Sequence, residues 1–207
     1  MLTFHAENAS QILHSHQLNK LIPRLQEAHG WLQNQNGLGS DFLGWLHLGS
    51  QTTTEQIKSS KSLAAKVKKQ SQVLLVIGIG GSYLGGQAFL QALRSPYYNQ
   101  LKPVTPEIYF VGNSLGGEDY RAILQIIGQR DWSINIISKS GTTLEPTLAM
   151  RFFLHQLKER YGSKALSQRL IITTDPKHGV LRELATKLAC PTLDIPADVG
   201  GRFSVRG

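Results

Sequence analysis

The sequence predicts an α/β fold, a three-layer sandwich in which a parallel β-sheet lies between helices, with a helical extension at its N-terminal side. From Val73 onward, short continuous apolar runs alternate with segments whose apolar residues recur at helical spacing. Continuous apolar runs are typical of strands buried on both faces. Their alternation with helices favours right-handed crossovers within one parallel sheet.

The runs and helical segments follow one another in a regular order. The first strand is expected at Val73–Ile77. The later strands are expected at residues 108–111, 134–137 and 170–173, and residues 190–195 are a candidate for a last strand. The intervening helices are expected at residues 85–93, 119–127, 147–161 and 180–188. Residues 71–207 are therefore predicted to form the α/β domain.

Residues 1–70 are predicted to be a helical N-terminal region. Its apolar residues recur at helical spacing, at Leu18, Leu21, Ile22, Leu25 and Leu32. Threonines at 52–54 followed by Glu55 predict the start of a further helix, because threonine is a favoured residue at helix N-termini. The apolar cluster at residues 42–48 is expected to pack against the rest of the protein.

The composition indicates a globular protein. Of 207 residues, 41% are hydrophobic, which is enough apolar material for a core. A single cysteine, Cys190, excludes an internal disulfide. No apolar run reaches the ~18–20 residues of a membrane span, and the N-terminus lacks the apolar segment of a secretory signal. We therefore expect a cytoplasmic protein without membrane attachment.

The net charge of +8 raises the question of a nucleic-acid partner. The densest basic stretch contains Lys58, Lys61, Lys66, Lys68 and Lys69. No aromatic residue lies between these lysines, and the apolar residues among them fit one side of a helix. We expect an exposed helix face and no nucleic-acid partner, while the excess positive charge can attract small anions.

Two turns rich in glycine and hydroxyl groups follow the first and third predicted strands, at residues 78–82 and 138–143. In open parallel sheets, ligands bind beyond the carboxyl ends of the strands. Glycines let a backbone approach an anion, N–H groups at a helix start point toward it, and hydroxyls donate further hydrogen bonds. The two turns are therefore predicted to form a phosphate site at one edge of the sheet.

Other interpretations of these turns fit less well. A dinucleotide fingerprint begins at Gly78 and Gly80, but Tyr83 occupies its third glycine position and no acidic residue follows the second strand at once. A P-loop requires Gly-Lys-Ser/Thr, whereas Lys139 is flanked by two serines. Turns that merely connect strands to helices would not need so many hydroxyls, which are costly to bury without partners.

Three motifs resemble signature segments of the glucose-6-phosphate isomerase family: GIGGS (78–82), SKSGTTLEP (138–146) and VGGRFS (199–204). Their order matches the family too. The similarity extends from Val73 onward and is weaker before it, where FLGW (42–45) matches best. The resemblance implies a sugar isomerase (SIS) domain of flavodoxin-like or Rossmann-like architecture, the first sugar-phosphate-binding lobe of the family.

The resemblance also implies a function: aldose–ketose isomerisation of glucose 6-phosphate and fructose 6-phosphate in glycolysis and gluconeogenesis, without metal or other cofactor. It predicts that the substrate phosphate is bound by Gly81, Ser82, Ser138, Lys139, Ser140 and Thr143. It assigns catalytic roles to Arg202, near the reacting carbons, and to Glu145, which organises the site. Isomerisation through an enediolate needs a general base and a cation near the oxygens, and an arginine stays charged at any working pH.

The sequence departs from the family after Arg202. In full-length members three catalytic residues follow the VGGRFS segment, which we call the arginine motif: the base glutamate, the ring-opening histidine and a lysine nearer the C-terminus. None of the seven histidines in this sequence lies in a catalytic motif of the family. We therefore expect an incomplete portion of the enzyme with little or no turnover; full-length relatives are expected to be homodimers. The alternative is a stand-alone sugar-phosphate-sensing SIS module, against which the VGGRFS motif argues. His14 and His16 are the only close histidine pair and are expected to be surface residues rather than metal ligands.

Overall fold

Five strands form one all-parallel sheet in a computed structural model of the chain, which describes residues 3, 5, 7, 15–101 and 104–201. The strands are β1 (Val73–Ile77), β2 (Glu107–Val111), β3 (Trp132–Ile137), β4 (Leu170–Thr174) and β5 (Thr192–Asp194). Their order across the sheet is β2-β1-β3-β4-β5. The predicted strands and the candidate last strand are confirmed, with ends that move by one or two residues.

The helices are α1 (Ser15–Gln33), α2 (Leu48–Gln51), α3 (Thr54–Gln70), α4 (Leu84–Leu93), α5 (Gly117–Ile127), α6 (Leu144–Tyr161), α7 (Leu166–Arg169) and α8 (Val180–Leu188). The four helices predicted between the strands are confirmed as α4, α5, α6 and α8. Helix α6 begins before Pro146 rather than after it. A proline is tolerated there because the first N–H groups of a helix have no partner within it.

The chain divides into two compact units, residues 1–43 and 44–207. In the first unit, the apolar residues predicted to share a helix all lie on α1, and they are exposed. In the second unit, α3 precedes the sheet. The predicted boundary between residues 70 and 71 stays a prediction.

Helix α3 begins at the threonines that the sequence indicates. The Gln56 N–H donates to the Thr53 hydroxyl (3.2 Å), and the Thr53 N–H donates to the Gln56 side-chain oxygen (2.8 Å). This reciprocal capping satisfies two N–H groups that the helix cannot. Only Val67 of α3 is buried, and all five lysines of its basic stretch are exposed, as predicted.

One face of the sheet forms the main hydrophobic core, against α5, α6 and α8. The strand side chains on this face are Val73, Leu75, Ile77, Val111, Trp132, Ile134, Ile136, Leu170 and Ile172. Phe153 of α6 lies at the centre, with its ring 5.6 Å from that of Tyr120 and 6.3 Å from that of Trp132. The helices after β2, β3 and β4 therefore cover the same face.

Helix α4 lies over the opposite face and leaves it partly open. A cleft of about 440 Å³ separates α4 from the alternate strand residues. The strand side chains that line the cleft are Val76, Ile108, Phe110, Asn135, Ile137 and Thr173. None of the residues of α4 is buried. The crossover after β1 thus runs on one face of the sheet and the later crossovers run on the other.

Replacing a phenylalanine by alanine is expected to lower the free energy of unfolding by different amounts on the two faces of the sheet. Phe153 is fully buried, so Phe153→Ala is expected to lower the free energy of unfolding by about 3–5 kcal/mol through lost burial and a residual cavity. Phe89 on α4 is 65% exposed, and Phe89→Ala is expected to cost well under ~1 kcal/mol. Urea denaturation of both variants measures the difference. Equal losses would contradict this assignment of the core.

Candidate functional site

The two turns predicted to bind phosphate leave the sheet side by side. Strands β1 and β3 are neighbours, with Ile77 opposite Ile136. Because the strands are parallel, the turn at 78–82 and the turn at 138–143 emerge at the same edge, as the sequence predicts. Their helices then cover opposite faces of the sheet. Such a switch point between neighbouring strands is where open α/β sheets form their ligand crevices.

The first turn, residues 78–82, begins at a glycine where a side chain would be crowded. The Gly78 N–H donates to the carbonyl oxygen of Val111 (3.0 Å). A Cβ atom at Gly78 would lie 3.3 Å from the carbonyl oxygen of Ile137, at the end of β3. This close approach brings the start of the first turn against the strand that carries the second turn.

Gly81 and Ser82 lie at the mouth of the cleft beside α4. They belong to a 3-10 turn, Gly80–Ser82, which is closed by a hydrogen bond from the Ser82 N–H to the Ile79 carbonyl (3.1 Å). Within the part of the chain that the structure describes, the Ser82 hydroxyl has no hydrogen-bond partner. Its donor and acceptor capacity is therefore open to a ligand.

Ser138 holds the second turn from inside. Its side chain is buried, and its hydroxyl oxygen accepts a hydrogen bond from the Gly141 N–H (3.1 Å). Its own N–H donates to the Thr173 carbonyl on β4 (3.1 Å). A hydroxyl that accepts one hydrogen bond still carries its O–H donor. Ser138 thus shapes the turn and keeps a donor for an anion.

Gly141 occupies the tightest corner of the second turn. Its φ is +71°, in the region that favours glycine. A Cβ atom there would lie 3.0 Å from both the backbone nitrogen and the Cγ atom of Leu181, at the start of α8. The path of the turn therefore depends on glycine for both its backbone conformation and its packing.

Ser140 and Thr143 lie near the start of α6. The Ser140 hydroxyl oxygen accepts hydrogen bonds from the N–H (3.3 Å) and the hydroxyl (3.1 Å) of Thr142. Thr143 is the N-cap residue of α6, but its side chain makes no capping hydrogen bond. The N–H groups and partial positive charge of the helix start favour an anion beside it. Sequence reasoning missed Thr142, which orients Ser140.

The side chain of Lys139 points along the sheet edge toward the segment after β5. Its ammonium donates to the carbonyl oxygens of Ala197 (2.6 Å) and Val199 (2.8 Å). Lys139 therefore lies in the predicted turn, with at least two of its hydrogen bonds made to the backbone of the protein itself. That its side chain contacts a substrate phosphate stays a prediction.

The turn after β4 supports the second turn from the side, a role that the sequence alone did not reveal. The Thr174 hydroxyl donates to the Lys139 carbonyl (3.3 Å). The Asp175 carboxylate accepts the N–H groups of Lys177 and His178, each at 2.8 Å. These two hydrogen bonds lower the pKa of Asp175, and the charges of His178 and Lys139 lower it further.

Glu145 is the second residue of α6 and is half-buried. Burial raises the pKa of the Tyr120 hydroxyl, and the negative charges of Asp119 and Glu145 raise it further. The hydroxyl of this tyrosine donates to the Ser114 carbonyl in the turn after β2 (2.5 Å). A catalytic role for Glu145 stays a prediction. Arg202 lies outside the described residues.

A family model shows to which protein family the chain belongs. The family model for phosphoglucose isomerase matches residues 47–207, which include both turns and the VGGRFS motif. The chain belongs to the phosphoglucose isomerase family. The similarity of the three motifs is thus part of a match that extends over most of the chain.

Curated relatives in this family carry the name glucose-6-phosphate isomerase. That of Clostridioides difficile (strain 630) is 42% identical over 207 residues, which cover 99% of this chain and 46% of the relative. That of Fusobacterium nucleatum is 44% identical over 192 residues, covering 91% of this chain and 43% of the relative. The chain therefore spans somewhat less than half the length of these phosphoglucose isomerase relatives.

Solved structures share the phosphoglucose isomerase fold of this chain. A hypothetical protein from Thermus thermophilus superposes with a TM-score of 0.75 at 29% identity, covering 92% of this chain and 43% of that one. A glucose-6-phosphate isomerase from Chlamydia trachomatis gives a TM-score of 0.56 at 24% identity over 72% of this chain and 27% of that one, which supports the fold.

In the described ranges, no group of three or more histidine, cysteine, aspartate or glutamate side chains is placed to hold a metal ion. Among the helices described, none has the length and apolar character needed to cross a bilayer.

Gly141 offers a test of how the second turn is built. Gly141→Ala is expected to lower the free energy of unfolding by about 1–2 kcal/mol for its backbone conformation and by about 1–3 kcal/mol more for the overlap with Leu181. Gly80 also has a positive φ (+56°) but has nothing within 4 Å, so Gly80→Ala reports the backbone cost alone. Chemical denaturation compares the two; equal losses would show that the contact with Leu181 is unimportant.

Asp175 predicts a pH-dependent contribution to stability. Its pKa is lower in the folded chain than the ~3.9 of an unfolded aspartate, so the carboxylate stabilises the fold above pH ~4 and loses this effect as the pH falls through the native pKa. Asp175→Ala should therefore cost about 1–3 kcal/mol at pH 7 and less at pH 3.

Urea denaturation of the wild-type chain and the Asp175→Ala variant at both pH values measures this change. The exposed Glu159 on α6 provides the control substitution, Glu159→Ala. A cost for Asp175→Ala that stays constant from pH 7 to pH 3 would show that the two N–H groups do not depend on the ionised carboxylate.

Proposed function

We propose that this chain supplies the phosphate-binding edge and the arginine motif of a glucose-6-phosphate isomerase. The observation that carries the proposal is the pair of hydroxyl-bearing turns after β1 and β3, which leave the sheet together at its switch point in a chain of the phosphoglucose isomerase family. The activity and substrates of the curated relatives are thereby extended to a chain that spans 43–46% of the length of the two relatives described above.

The proposed phosphate site is built mainly from neutral donors. Its donors are the hydroxyls and backbone N–H groups of Gly81, Ser82, Ser138, Ser140 and Thr143, the last at the start of α6, and Lys139 of the same turn contributes its backbone N–H. Hydroxyls and backbone N–H groups around a helix start suit a phosphate dianion, because the helix dipole favours negative charge there. The net charge of +8 adds a long-range attraction for anionic sugars.

The proposed reaction moves a proton between two adjacent carbons of the sugar through an enediolate. Arg202 would stabilise the negative charge that develops on the oxygens, with Glu145 organising the site. Binding of the phosphate, remote from the reacting carbons, would position the sugar for this step. The resemblance places the family's base glutamate, histidine and lysine after the arginine motif in sequence, so we expect little or no turnover from residues 1–207 alone.

The substrate of the proposed reaction is a phosphorylated hexose, glucose 6-phosphate or fructose 6-phosphate, bound without metal or other cofactor. We place the reaction in the cytoplasm, within glycolysis and gluconeogenesis, and we expect the full-length enzyme to act as a homodimer. Nucleic acids and membranes are not expected to be partners.

Binding of fructose 6-phosphate tests the proposed site directly. Ser82→Ala removes a hydroxyl that the described fold does not use, and it should weaken binding about tenfold, the effect of one hydrogen bond to a charged group. Ser138→Ala should weaken binding at least as much, because it also removes the acceptor for the Gly141 N–H. Isothermal titration calorimetry measures both affinities.

Ser167→Ala is the matched control, since this serine lies on α7 and its hydroxyl donates to a neighbouring carbonyl, that of Lys164 (3.0 Å). Its affinity for fructose 6-phosphate should equal that of the wild-type chain. If neither Ser82→Ala nor Ser138→Ala weakens binding, the two turns are not the phosphate site. Substantial isomerase turnover by residues 1–207 would contradict the expectation of an incomplete catalytic set.

A further inference from the structure

The chain returns to the second turn after β5. The Ile195 N–H donates to the Thr174 carbonyl (2.8 Å), which continues the pairing with β4 by one residue. Beyond it, the Gly44 N–H donates to the Asp198 carbonyl (3.0 Å). The segment of residues 195–199 is thus held by backbone hydrogen bonds at its start and near its end.

The side chain of Lys139, in the turn after β3, also contacts residues 195–199. Its half-buried ammonium donates to the carbonyls of Ala197 and Val199, at 2.6 and 2.8 Å, although these residues are 58 and 60 positions away in sequence. A partly buried charge is stable only when oxygen atoms replace its water. The two carbonyls supply these oxygens, so the contact fixes both the lysine and the segment.

We propose that Lys139 is a positioning residue: its ammonium ties residues 197–199 to the turn after β3 and so sets where the chain enters the arginine motif. This inference rests on the proposed function in one respect, namely that Arg202 acts on the sugar bound at that turn. The tie itself is a property of the chain without ligand.

The short distance in sequence between Val199 and Arg202 makes this contact important for the position of the arginine. Arg202 follows Val199 by three residues, and three residues span at most about 11 Å. The two residues between them are glycines, which have more backbone freedom than any other residue. Anchoring Val199 therefore limits the region that the arginine can reach, and it lowers the entropy lost when the arginine is ordered on a substrate.

A direct contact with the substrate phosphate would require the same ammonium to donate a hydrogen bond to the ligand. A lysine has three N–H donors, and two of them are directed at the carbonyls of Ala197 and Val199. If the Lys139 ammonium positions residues 197–199, its loss should weaken binding of the sugar part of the ligand, because Arg202 is then misplaced. If it is a phosphate ligand, its loss should affect any phosphate equally.

The first experiment measures the tie in the absence of ligand. Hydrogen–deuterium exchange of the 207-residue chain is followed in Lys139→Met, Lys139→Arg and the control Lys164→Met, which changes an exposed lysine far along the sequence. The amides of residues 197–201 should exchange at least tenfold faster in Lys139→Met, with protection partly restored in Lys139→Arg. The amide of Ile195, which pairs with β4, and the amides of β3 should not change. Unchanged exchange at residues 197–201 would overturn the proposal.

The second experiment separates a positioning role from a phosphate contact. Calorimetry compares inorganic phosphate with fructose 6-phosphate for Lys139→Met, Arg202→Met and the double variant. A positioning role predicts an affinity for inorganic phosphate within twofold of the wild-type value and about tenfold weaker binding of fructose 6-phosphate. It also predicts that Lys139→Met causes no further loss in the Arg202→Met chain.

Equal losses for both ligands, or independent losses in the double variant, would assign Lys139 to the phosphate instead and overturn the positioning role. If the wild-type chain binds no fructose 6-phosphate, the proposed function fails at that point. The exchange experiment then decides the tie alone, because it needs no ligand.

Discussion

The parallel pairing of β1 with β3 is the constraint on which the rest of the site depends. It brings the ends of two strands together although 59 residues separate Val73 from Trp132, the first pair in register. The crossover from β1 runs on one face of the sheet, and the crossovers after β2 run on the other. The two turns must therefore diverge around a shared crevice. The crowding at Gly78 and Gly141 is the direct result of fitting these turns between neighbouring strands and helices.

The second turn is held by the same kinds of groups that would bind a ligand. Ser138 accepts the Gly141 N–H, Ser140 accepts from Thr142, and Thr174 donates to the carbonyl of Lys139. These hydrogen bonds fix the turn before any ligand arrives. A site whose donors are already in place loses less conformational entropy on binding and needs less reorganisation as charge develops. The turn therefore gains rigidity both from hydrogen bonds within its own sequence and from the neighbouring strand β4.

The strands and the common sheet edge of the two turns could be predicted from the sequence because both depend on local patterns. Continuous apolar runs such as Val73–Ile77 have few alternatives to a buried strand, and the glycine- and serine-rich turns follow them directly. The contacts that hold the turns could not be predicted in the same way. The partners of Lys139 lie 58 and 60 residues away, and Leu181 meets Gly141 only after α8 has packed on the sheet. Such contacts follow from the tertiary fold and leave no periodic signal.

The charge distribution at the sheet edge bears on how an anion would be recognised there. Across residues 78–82 and 138–143, Lys139 is the only residue that carries a positive charge, and its ammonium already contacts two carbonyls. Recognition would then rest on hydroxyls, N–H groups and the start of α6, whose strength depends on geometry more than on net charge. Neutral donors at fixed positions would favour a tetrahedral anion through their geometry. Because these donors would bind the phosphate, an arginine that follows residues 197–199 would be left to act on the sugar.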